Sequence, residues 1–295
     1  MTHRHNHSHE EKSNIGLAFF LNLSFTVVEL IGGVLTNSIA IISDAVHDFG
    51  DSLSLALAWY FQKLSKKGST KQYSYGYKRF SLLGAIINSV VLVAGSIYIL
   101  SEAIPRLFAP EKTNAEGMFL LAILGVIING IAVLRTRKAT SINERVVSLH
   151  LLEDMLGWTA VLIGSAVMYF TGWTRIDPIL SLLVACFVLF NVFKNIRQTL
   201  PILLQGTPAD IDGERIVAKL KGLTDIAAVH DLHIWSLDEA YNVLTIHIVL
   251  NEALPTDKLV DLKKKIRSML KEEKIQHATI EFETRNEECD FEDCL

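Results

Sequence analysis

The sequence is poor in cysteine, proline and charged residues. Its 295 residues include 3 cysteines and 6 prolines, which excludes a disulfide-rich scaffold and a collagen-like chain. Charged residues make up 20% of the chain, against roughly 25% in soluble proteins, and hydrophobic residues make up 50%. A net charge of −4 without a basic stripe argues against nucleic-acid binding. The composition therefore favours a membrane protein.

Long apolar stretches account for this composition. Six of them approach the roughly 20 residues that a helix needs to cross a bilayer. They cover residues 15–36, 38–62, 80–104, 115–134, 146–171 and 177–196. The first is not a cleaved signal peptide, because a His-rich polar segment precedes it and no small-residue cleavage site follows. The sequence thus predicts an all-α bundle of six membrane helices over 15–204, with both termini on one side.

The positions of Lys and Arg indicate which side that is. Residues 1–204 contain 17 of them, and 14 lie on the side of the termini. The remaining three are Arg106, Lys112 and Arg175. Because positive charge is retained in the cytosol during insertion, both termini are predicted to be cytosolic. The expected localisation is the cytoplasmic membrane, as a multi-pass protein.

The sequence changes character after residue 204. Periodicity predicts two helices and alternation predicts three strands, in the order 208–223 (helix), 228–237, 242–250 (strands), 256–273 (helix) and 276–284 (strand). This αββαβ order favours a small α+β sandwich with helices on one face of a mixed sheet. The cytosolic domain is placed at 205–284, between the membrane domain and an acidic, Cys-containing tail at 285–295. Residues 1–14 form a His-rich cytosolic tail.

Two of the predicted spans carry ionisable residues that repeat on one face of the helix. On a helix that turns about 100° per residue, one stripe of the second span holds Asp44, His47, Asp48 and Asp51. In the fifth span, His150 and Asp154 are one turn apart on one face. An ionisable residue at the centre of a span costs about 2.5–3.5 kcal/mol. These side chains must therefore face protein, water or an ion.

Two His-x-x-x-Asp pairs, His47 with Asp51 and His150 with Asp154, supply two imidazole nitrogens and two carboxylates. Such a set can surround a divalent ion tetrahedrally. Zinc fits best, because magnesium and manganese sites are richer in oxygen ligands. The alternative is that these residues are helix contacts lining a pore, or buried hydrogen-bonding groups.

Further polar groups leave several roles open. Asp44, Asp48 and Glu153 could contact the metal ligands without binding the ion, carry protons or be solvated near a cavity mouth. Glu29 in the first span could contact a helix or line a cavity. The tail histidines, His3, His5, His7 and His9, could collect metal or simply be solvated. Cys289 and Cys294 could add thiolate ligands or be free thiols, whereas Cys186 is expected to pack as a small apolar residue.

Several motifs resemble those of the cation diffusion facilitators. They are found at 29–33 (ELIGG), 37–40 (NSIA), 43–51 (SDAVHDFGD), 75–79 (YGYKR), 177–178 (DP), 204–208 (LQGTP) and 229–235 (VHDLHIW). The resemblance covers nearly the whole chain. It implies a homodimeric exporter of Zn²⁺ and similar ions that is driven by proton counter-flow, with a ferredoxin-like cytosolic domain. The family's transport site maps here to His47, Asp51, His150 and Asp154.

The resemblance also implies a metal site in the cytosolic domain. His230 and His247 match positions at which bacterial relatives bind regulatory metal, and Glu281 and Glu283 lie near the matching third-strand carboxylates. The candidate ligands are His230, His247 and Glu283, although both histidines could be ordinary surface or partly buried residues. If the first strand is regular, alternation places His230 on the opposite face from His233. His277 is expected to be exposed.

Three positions depart from the family pattern. Asp48 follows His47 where many relatives have an apolar residue, which leaves iron, cobalt and cadmium open beside zinc. Tyr73 and Tyr77 stand where some bacterial members have histidines, so an accessory site in that loop is not expected.

The predicted function is export of Zn²⁺, or of Cd²⁺, Co²⁺ or Fe²⁺, from the cytosol in exchange for protons. Metal and protons are the expected ligands, with no cofactor, no enzymatic activity and no nucleic-acid partner. A membrane metallohydrolase is the first alternative, but it would need an H-E-x-x-H motif and an open zinc position. A metal sensor is the second, and it would leave the ligands inside the membrane spans unexplained.

Overall fold

A computed structural model describes residues 7–136, 142–238, 240–285 and 287. Its secondary structure in these ranges comprises eight helices and three strands. The chain divides into two compact units. The first combines Met1–Tyr60 with Gly84–Asn195, and the second combines Phe61–Leu83 with Ile196–Leu295.

Six long helices coincide with the predicted apolar stretches. They are α1 (His7–Thr36), α2 (Ile39–Ser65), α3 (Phe80–Phe108), α4 (Ala115–Thr136), α5 (Ile142–Thr171) and α6 (Ile176–Leu203). Helix α1 begins inside the segment that was assigned to the N-terminal tail.

Four of these helices are long and apolar enough to cross a membrane. Within the described residues they are Phe80–Phe108, Ala115–Leu134, Ser148–Thr171 and Ile176–Leu203. Helix α1 contributes a shorter apolar stretch, Asn22–Thr36. Helix α2 is not among the four, and its first half carries three carboxylates, Asp44, Asp48 and Asp51. The count of six spans therefore stays a prediction.

A side chain of α6 caps the start of α2. The fully buried Asp177 accepts hydrogen bonds from Ser38 Oγ (2.6 Å) and from the backbone N–H groups of Ile39 (2.9 Å) and Ala40 (3.2 Å). The first amides of a helix have no partner within the helix, so this carboxylate supplies what α2 lacks. The cap fixes the beginning of the helix that carries His47.

Helices α4 and α5 pack closely through a glycine. A Cβ atom at Gly125 would lie 2.1 Å from Cδ2 of Trp158, so only glycine fits under the indole ring. Trp158 is buried with Ile41, Met118 and Val161 in one apolar cluster. This packing holds α5, and with it the pair His150 and Asp154, in a defined position.

The second unit contains the predicted αββαβ order. Its elements are α7 (Gly213–Lys221), β1 (Ile226–Ser236), β2 (Asn242–Leu250), α8 (Thr256–Glu272) and β3 (Ile275–Thr284). The sheet order is β1-β2-β3, with β1 antiparallel and β3 parallel to β2. This confirms a small α+β domain with a mixed three-stranded sheet. The ferredoxin-like fold stays a prediction.

The two faces of the sheet differ in character. Even-numbered residues of β2, such as Leu244, Ile246 and Ile248, are buried against the apolar faces of α7 and α8. Because strand side chains alternate, odd-numbered residues of β2 lie on the other face, where His247 is found. The apolar face forms the core, and the opposite face carries the candidate ligands.

The first cytosolic helix begins later than predicted. Asp212 caps it by accepting a hydrogen bond from the backbone N–H of Arg215 (3.0 Å), so α7 starts at Gly213. The preceding residues form a turn in which the N–H of Ile211 donates to the carbonyl of Pro208 (3.1 Å). The prediction of a helix from 208 was wrong because a local cap outweighed the apolar periodicity.

Candidate metal centres

The four residues predicted to bind the transported metal come together between α2 and α5. Nε2 of His150 lies 3.2 Å from Oδ2 of Asp51, and Nε2 of His47 lies 3.7 Å from the same oxygen. Oδ2 of Asp154 lies 3.8 Å from Nε2 of His150. Asp51 thus stands between two imidazoles that belong to different helices.

This spacing suits ligands that share one ion. Around a tetrahedral zinc with bonds of about 2.0 Å, neighbouring ligand atoms are roughly 3.3 Å apart. The side chains of His47, Asp51 and Asp154 are 18%, 25% and 9% exposed, and that of His150 is 39% exposed. The site is therefore partly shielded and still within reach of an ion.

Additional carboxylates are buried in the same unit. Asp44 and Asp48 on α2 and Glu29 on α1 are almost inaccessible, whereas Glu153 on α5 is exposed. Asp44 faces α5, since its Oδ1 would lie 3.8 Å from a Cβ atom built at Gly157. Of the roles left open from sequence for Asp44, Asp48 and Glu153, solvation fits the exposed Glu153 and does not fit the two buried aspartates.

The candidate ligands of the cytosolic domain form a compact group. Oε2 of Glu283 lies 2.8 Å from Nε2 of His230, and Oε1 lies 2.5 Å from Nδ1 of His247. One ligand atom from each of the three residues lies within 4.8 Å of the others. The structure therefore joins three residues that are up to 53 positions apart in the chain.

The two neighbouring histidines lower the pKa of Glu283. Partial burial raises the pKa of its carboxyl group, but hydrogen bonding and charge interaction with His230 and His247 lower the pKa more. The net pKa lies below the ordinary value, so the carboxylate is ionised at neutral pH. An ionised carboxylate beside two imidazoles is a donor set that suits zinc.

A bulge in β1 changes the predicted face of one histidine. Asp231 has a positive φ of 48°, and the register between β1 and β2 shifts between His230 and His233. His230 pairs with His247 and His233 pairs with Thr245, so both histidines of β1 lie on the same face. Regular alternation would have separated them, and the extra residue of the bulge brings them together.

The bulge also adds a carboxylate that sequence reasoning did not select. Asp231 Oδ1 lies 2.8 Å from Nε2 of His233, and its Oδ2 lies 3.4 Å from Nε2 of His247. Oε2 of Glu281 lies 3.5 Å from the same nitrogen of His247. The two nitrogens of His247 therefore face different carboxylates. In the sequence, the one sign that Asp231 could join this group was its position between His230 and His233.

Other singled-out residues lie elsewhere. Cys186 is exposed on α6, so the expectation that it packs inside the protein was wrong: its side of the helix faces outward in the single chain. Tyr73 and Tyr77 pack against each other with ring centroids 4.9 Å apart, and His277 is exposed. Several predicted positions fall outside the described residues or side chains: His3, His5, His7, His9, Cys289 and Cys294.

Comparison with known proteins places both units in one family. Residues 15–204 match the profile described as the cation efflux transmembrane domain, and residues 208–285 match that of the cation efflux protein cytoplasmic domain. The "Cadmium, cobalt and zinc/H(+)-K(+) antiporter" of Bacillus velezensis is 35% identical over 287 residues, which is 95% of this chain and 92% of the relative.

Two further relatives extend this similarity. The "Metal cation efflux system protein CzcD" of Cupriavidus metallidurans is 34% identical over 95% of this chain and 89% of its own length. The "Zinc transporter ZitB" of Escherichia coli is 30% identical over 100% of this chain and 96% of its own. The chain therefore belongs to the cation efflux, or cation diffusion facilitator, family, whose members are multi-pass membrane transporters of divalent metal cations and not enzymes.

Proposed function

We propose that this protein exports Zn²⁺ from the cytosol in exchange for protons, through His47, Asp51, His150 and Asp154. The observation that carries the proposal is the convergence of both imidazoles on Oδ2 of Asp51. Names of relatives support the same substrate class, since they include a zinc transporter and a cadmium, cobalt and zinc antiporter.

Coupling to protons follows from the chemistry of the ligands. Zinc binds neutral imidazole and ionised carboxylate, so metal and protons compete for the same atoms. Imidazole titrates near neutral pH, which allows protons from outside to displace the ion at physiological concentrations. Protons on the emptied ligands then return inward when the site again faces the cytosol. The antiporter names of relatives agree with this exchange.

The donor set favours zinc over harder ions. Two nitrogens and two oxygens suit zinc and its borderline neighbours, whereas magnesium and manganese prefer oxygen. Cadmium, cobalt and iron remain the competing substrates, because Asp48 adds a carboxylate directly after His47.

The wider organisation is also proposed. We place the His-rich tail at 1–14, the membrane domain at 15–204, the cytosolic domain at 205–284 and the acidic tail at 285–295, with both termini in the cytosol. A homodimer formed partly through the cytosolic domain agrees with the family assignment. His230, His247 and Glu283 are proposed to bind a regulatory zinc ion.

Flux measurements in proteoliposomes test the transport site. With a pH gradient imposed, Zn²⁺, Cd²⁺, Co²⁺, Fe²⁺ and Mn²⁺ are compared one at a time. Asp51→Ala is expected to lower zinc flux at least about tenfold, since loss of groups that support a metal costs 10–100-fold. Glu153→Gln, which removes an exposed carboxylate of α5, is the matched control and is expected to transport normally. Full zinc flux in Asp51→Ala would refute the site assignment.

A further inference from the structure

The turn between α1 and α2 is held by contacts from several segments of the first unit. Asn37 and Ser38 separate the two helices, and Asn37 has a positive φ of 52°, a conformation in which asparagine is enriched. The N–H of Asn114, just before α4, donates to the carbonyl oxygen of Thr36 (2.9 Å). The carboxylate of Asp177 binds the same turn to the start of α6. The starts of α2, α4 and α6 therefore meet at one end of this unit.

Arg106, in the last turn of α3, adds a charged contact to this turn. Its Nη1 donates to the carbonyl oxygen of Asn37 (3.2 Å) and to Oδ1 of the same residue (3.1 Å). Its Nη2 lies 3.1 Å from Oε2 of Glu111, which also accepts a hydrogen bond from Nδ2 of Asn37 (3.1 Å). The Arg106 side chain is 15% exposed, so these contacts are partly shielded from water.

Stabilisation of α3 alone does not account for these contacts. The C-terminus of a helix attracts a positive charge, and an arginine there can interact with the carbonyl groups of its own last turn. The Nη1 atom of Arg106 instead donates to a residue that lies 69 positions earlier in the chain. The guanidinium group therefore joins the end of α3 to the turn between α1 and α2.

The part of α2 between this turn and the transport site is enclosed by apolar side chains. Residues 39–46 lead from the turn to His47 over about 12 Å, and all of them are buried or half-buried. Ile39 shares a cluster with Ile99, Ala103 and Ala185 of α3 and α6, and Ile41 shares one with Met118 and Trp158 of α4 and α5. Because an apolar constriction opposes the passage of an ion, this packing closes the path from His47 to the turn.

We propose that Arg106 is a positioning residue for transport: by fixing the turn between α1 and α2, it keeps this end of the path closed while the metal site takes up an ion from the cytosol. Export then requires this end to open, because the ion must pass the helices around residues 39–46 to reach the outside. Breaking the contacts of Arg106 is part of the cost of opening. The inference rests on the proposed function and on the predicted cytosolic termini, which place the turn on the outer side.

Loss of these contacts should change the balance between the two states of the transporter. Without the guanidinium group, a larger fraction of molecules is open to the outside, and fewer present the metal site to the cytosol. The apparent affinity for cytosolic zinc falls with that fraction, so Arg106→Gln should raise the KM for zinc without lowering the maximal flux. A residue that only stabilised the fold would lower the amount of active protein and hence the maximal flux.

Thiol labelling measures the opening directly. The reporter is Ala185→Cys on α6, since Ala185 is 1% exposed and belongs to the same apolar cluster as Ile39. The full-length protein carries it in a background in which the three native cysteines, Cys186, Cys289 and Cys294, are replaced by alanine. A membrane-impermeant maleimide is added to spheroplasts, where it reaches the outer face, or to inverted vesicles, where it reaches the cytosolic face.

The labelling rate from the outer face should report the loss of the Arg106 contacts. Arg106→Gln is expected to raise this rate at least about fivefold, because a hydrogen bond to a charged group shifts an equilibrium by at least that much. Labelling from the cytosolic face should not rise. Arg175→Gln, which removes an exposed arginine two residues before Asp177, is the matched control and should leave both rates unchanged.

Glu111→Gln provides a second test of the same contacts. It removes the charge next to the guanidinium group and should raise labelling from the outer face, and the double variant with Arg106→Gln should exceed Arg106→Gln only slightly because the two residues act together. Thermal melting in detergent establishes folding, and where Arg106→Gln unfolds, Glu111→Gln decides.

Three results would overturn the proposal. They are an unchanged rate from the outer face in folded Arg106→Gln, an equal rise in Arg175→Gln, which would assign the effect to charge alone, and a rise from both faces, which would indicate a loosened fold. Labelling needs no metal ion. Absence of zinc flux in the wild-type protein would therefore refute the transport proposal, whereas the labelling rates would still decide whether Arg106 holds this end closed.

Discussion

At the scale of single residues, Asp51 and Glu283 have similar surroundings in different units. Asp51 lies between the imidazoles of His47 and His150, and Glu283 lies between those of His230 and His247. In each place a carboxylate lies close to two imidazoles, at distances that suit a shared ion. Removing the carboxylate should therefore affect metal binding more than removing any exposed acid nearby.

Glu273 is a residue whose charge stabilises the cytosolic unit. It is 6% exposed and accepts hydrogen bonds from Lys219 (2.5 Å) and from Arg215. The bond from Lys219 lowers the pKa of Glu273 most, and Arg215 adds to this against the opposing effect of desolvation. The folded pKa thus lies below the ordinary value of 4.5.

This lowered pKa predicts a loss of stability in acid. The ionised pair stabilises the fold above pH 4.5, and its contribution disappears as the pH falls through the folded pKa. Glu273→Gln should lower the melting temperature of the cytosolic unit at pH 7 by about 2–5 °C and flatten the acid side of its stability profile. Glu252→Gln, on an exposed loop, is the control. An unchanged profile in Glu273→Gln would contradict the assignment.

At the scale of secondary-structure elements, long-range contacts determine where two elements begin or bend. Asp177 from α6 caps α2, and the bulge at Asp231 turns His233 to the side of His230. Both features place candidate metal ligands. The cap positions the start of the helix that carries His47, and the bulge determines on which face of β1 His233 lies.

Removing the cap should destabilise the membrane unit. Asp177→Ala leaves the Ser38 hydroxyl and two backbone amides of α2 without their buried acceptor. Loss of a cap costs about 0.5–2 kcal/mol, and buried unpaired donors add to this. A lower melting temperature of the detergent-solubilised protein is expected. Asp257→Ala, at the exposed start of α8, is the control, and equal melting of the two variants would argue against the cap.

Zinc stoichiometry tests the cluster on the sheet. His247→Ala removes the histidine that contacts Glu283 and pairs with His230, so the full-length protein should retain one zinc ion fewer per chain. The measurement is metal analysis after dialysis against dilute zinc. His277→Ala, on the neighbouring strand and exposed, should retain the wild-type content. Equal metal content in wild type and His247→Ala would exclude this site.

At the scale of the whole molecule, charge is divided between the two parts of the chain. Residues 1–204 have a net charge of +4, from 17 basic and 13 acidic residues, and residues 205–295 have −8, from 11 and 19. The modest overall charge therefore averages a weakly charged membrane part and a strongly charged cytosolic part. The basic residues of the membrane part concentrate on one side of the predicted spans.

This asymmetry predicts an orientation that reporters can check. A fluorescent protein fused after Leu295 should fluoresce, and alkaline phosphatase fused there should be inactive, because both termini are expected in the cytosol. Phosphatase inserted after Lys112, in the predicted outer loop between α3 and α4, should be active and serves as the positive control. The reverse pattern would overturn the orientation.

Much of the architecture followed from local sequence patterns, and the exceptions have identifiable causes. The apolar stretches located α1 to α6, and the αββαβ order was correct because each element has its own periodicity. The start of α7 was missed because Asp212 caps the helix, and the face of His233 was missed because of the bulge at Asp231. Exposure of Cys186 was missed because periodicity alone does not say which apolar face is covered.

The candidate sites, too, could be predicted from the sequence only in part. Sequence by itself determined the ligand types and their helical or strand spacing, since His47 with Asp51 and His150 with Asp154 are each one turn apart. Only the tertiary structure decided that Oδ2 of Asp51 faces both imidazoles. The reason is physical: periodicity is a property of one element, whereas distances between elements depend on how buried side chains pack.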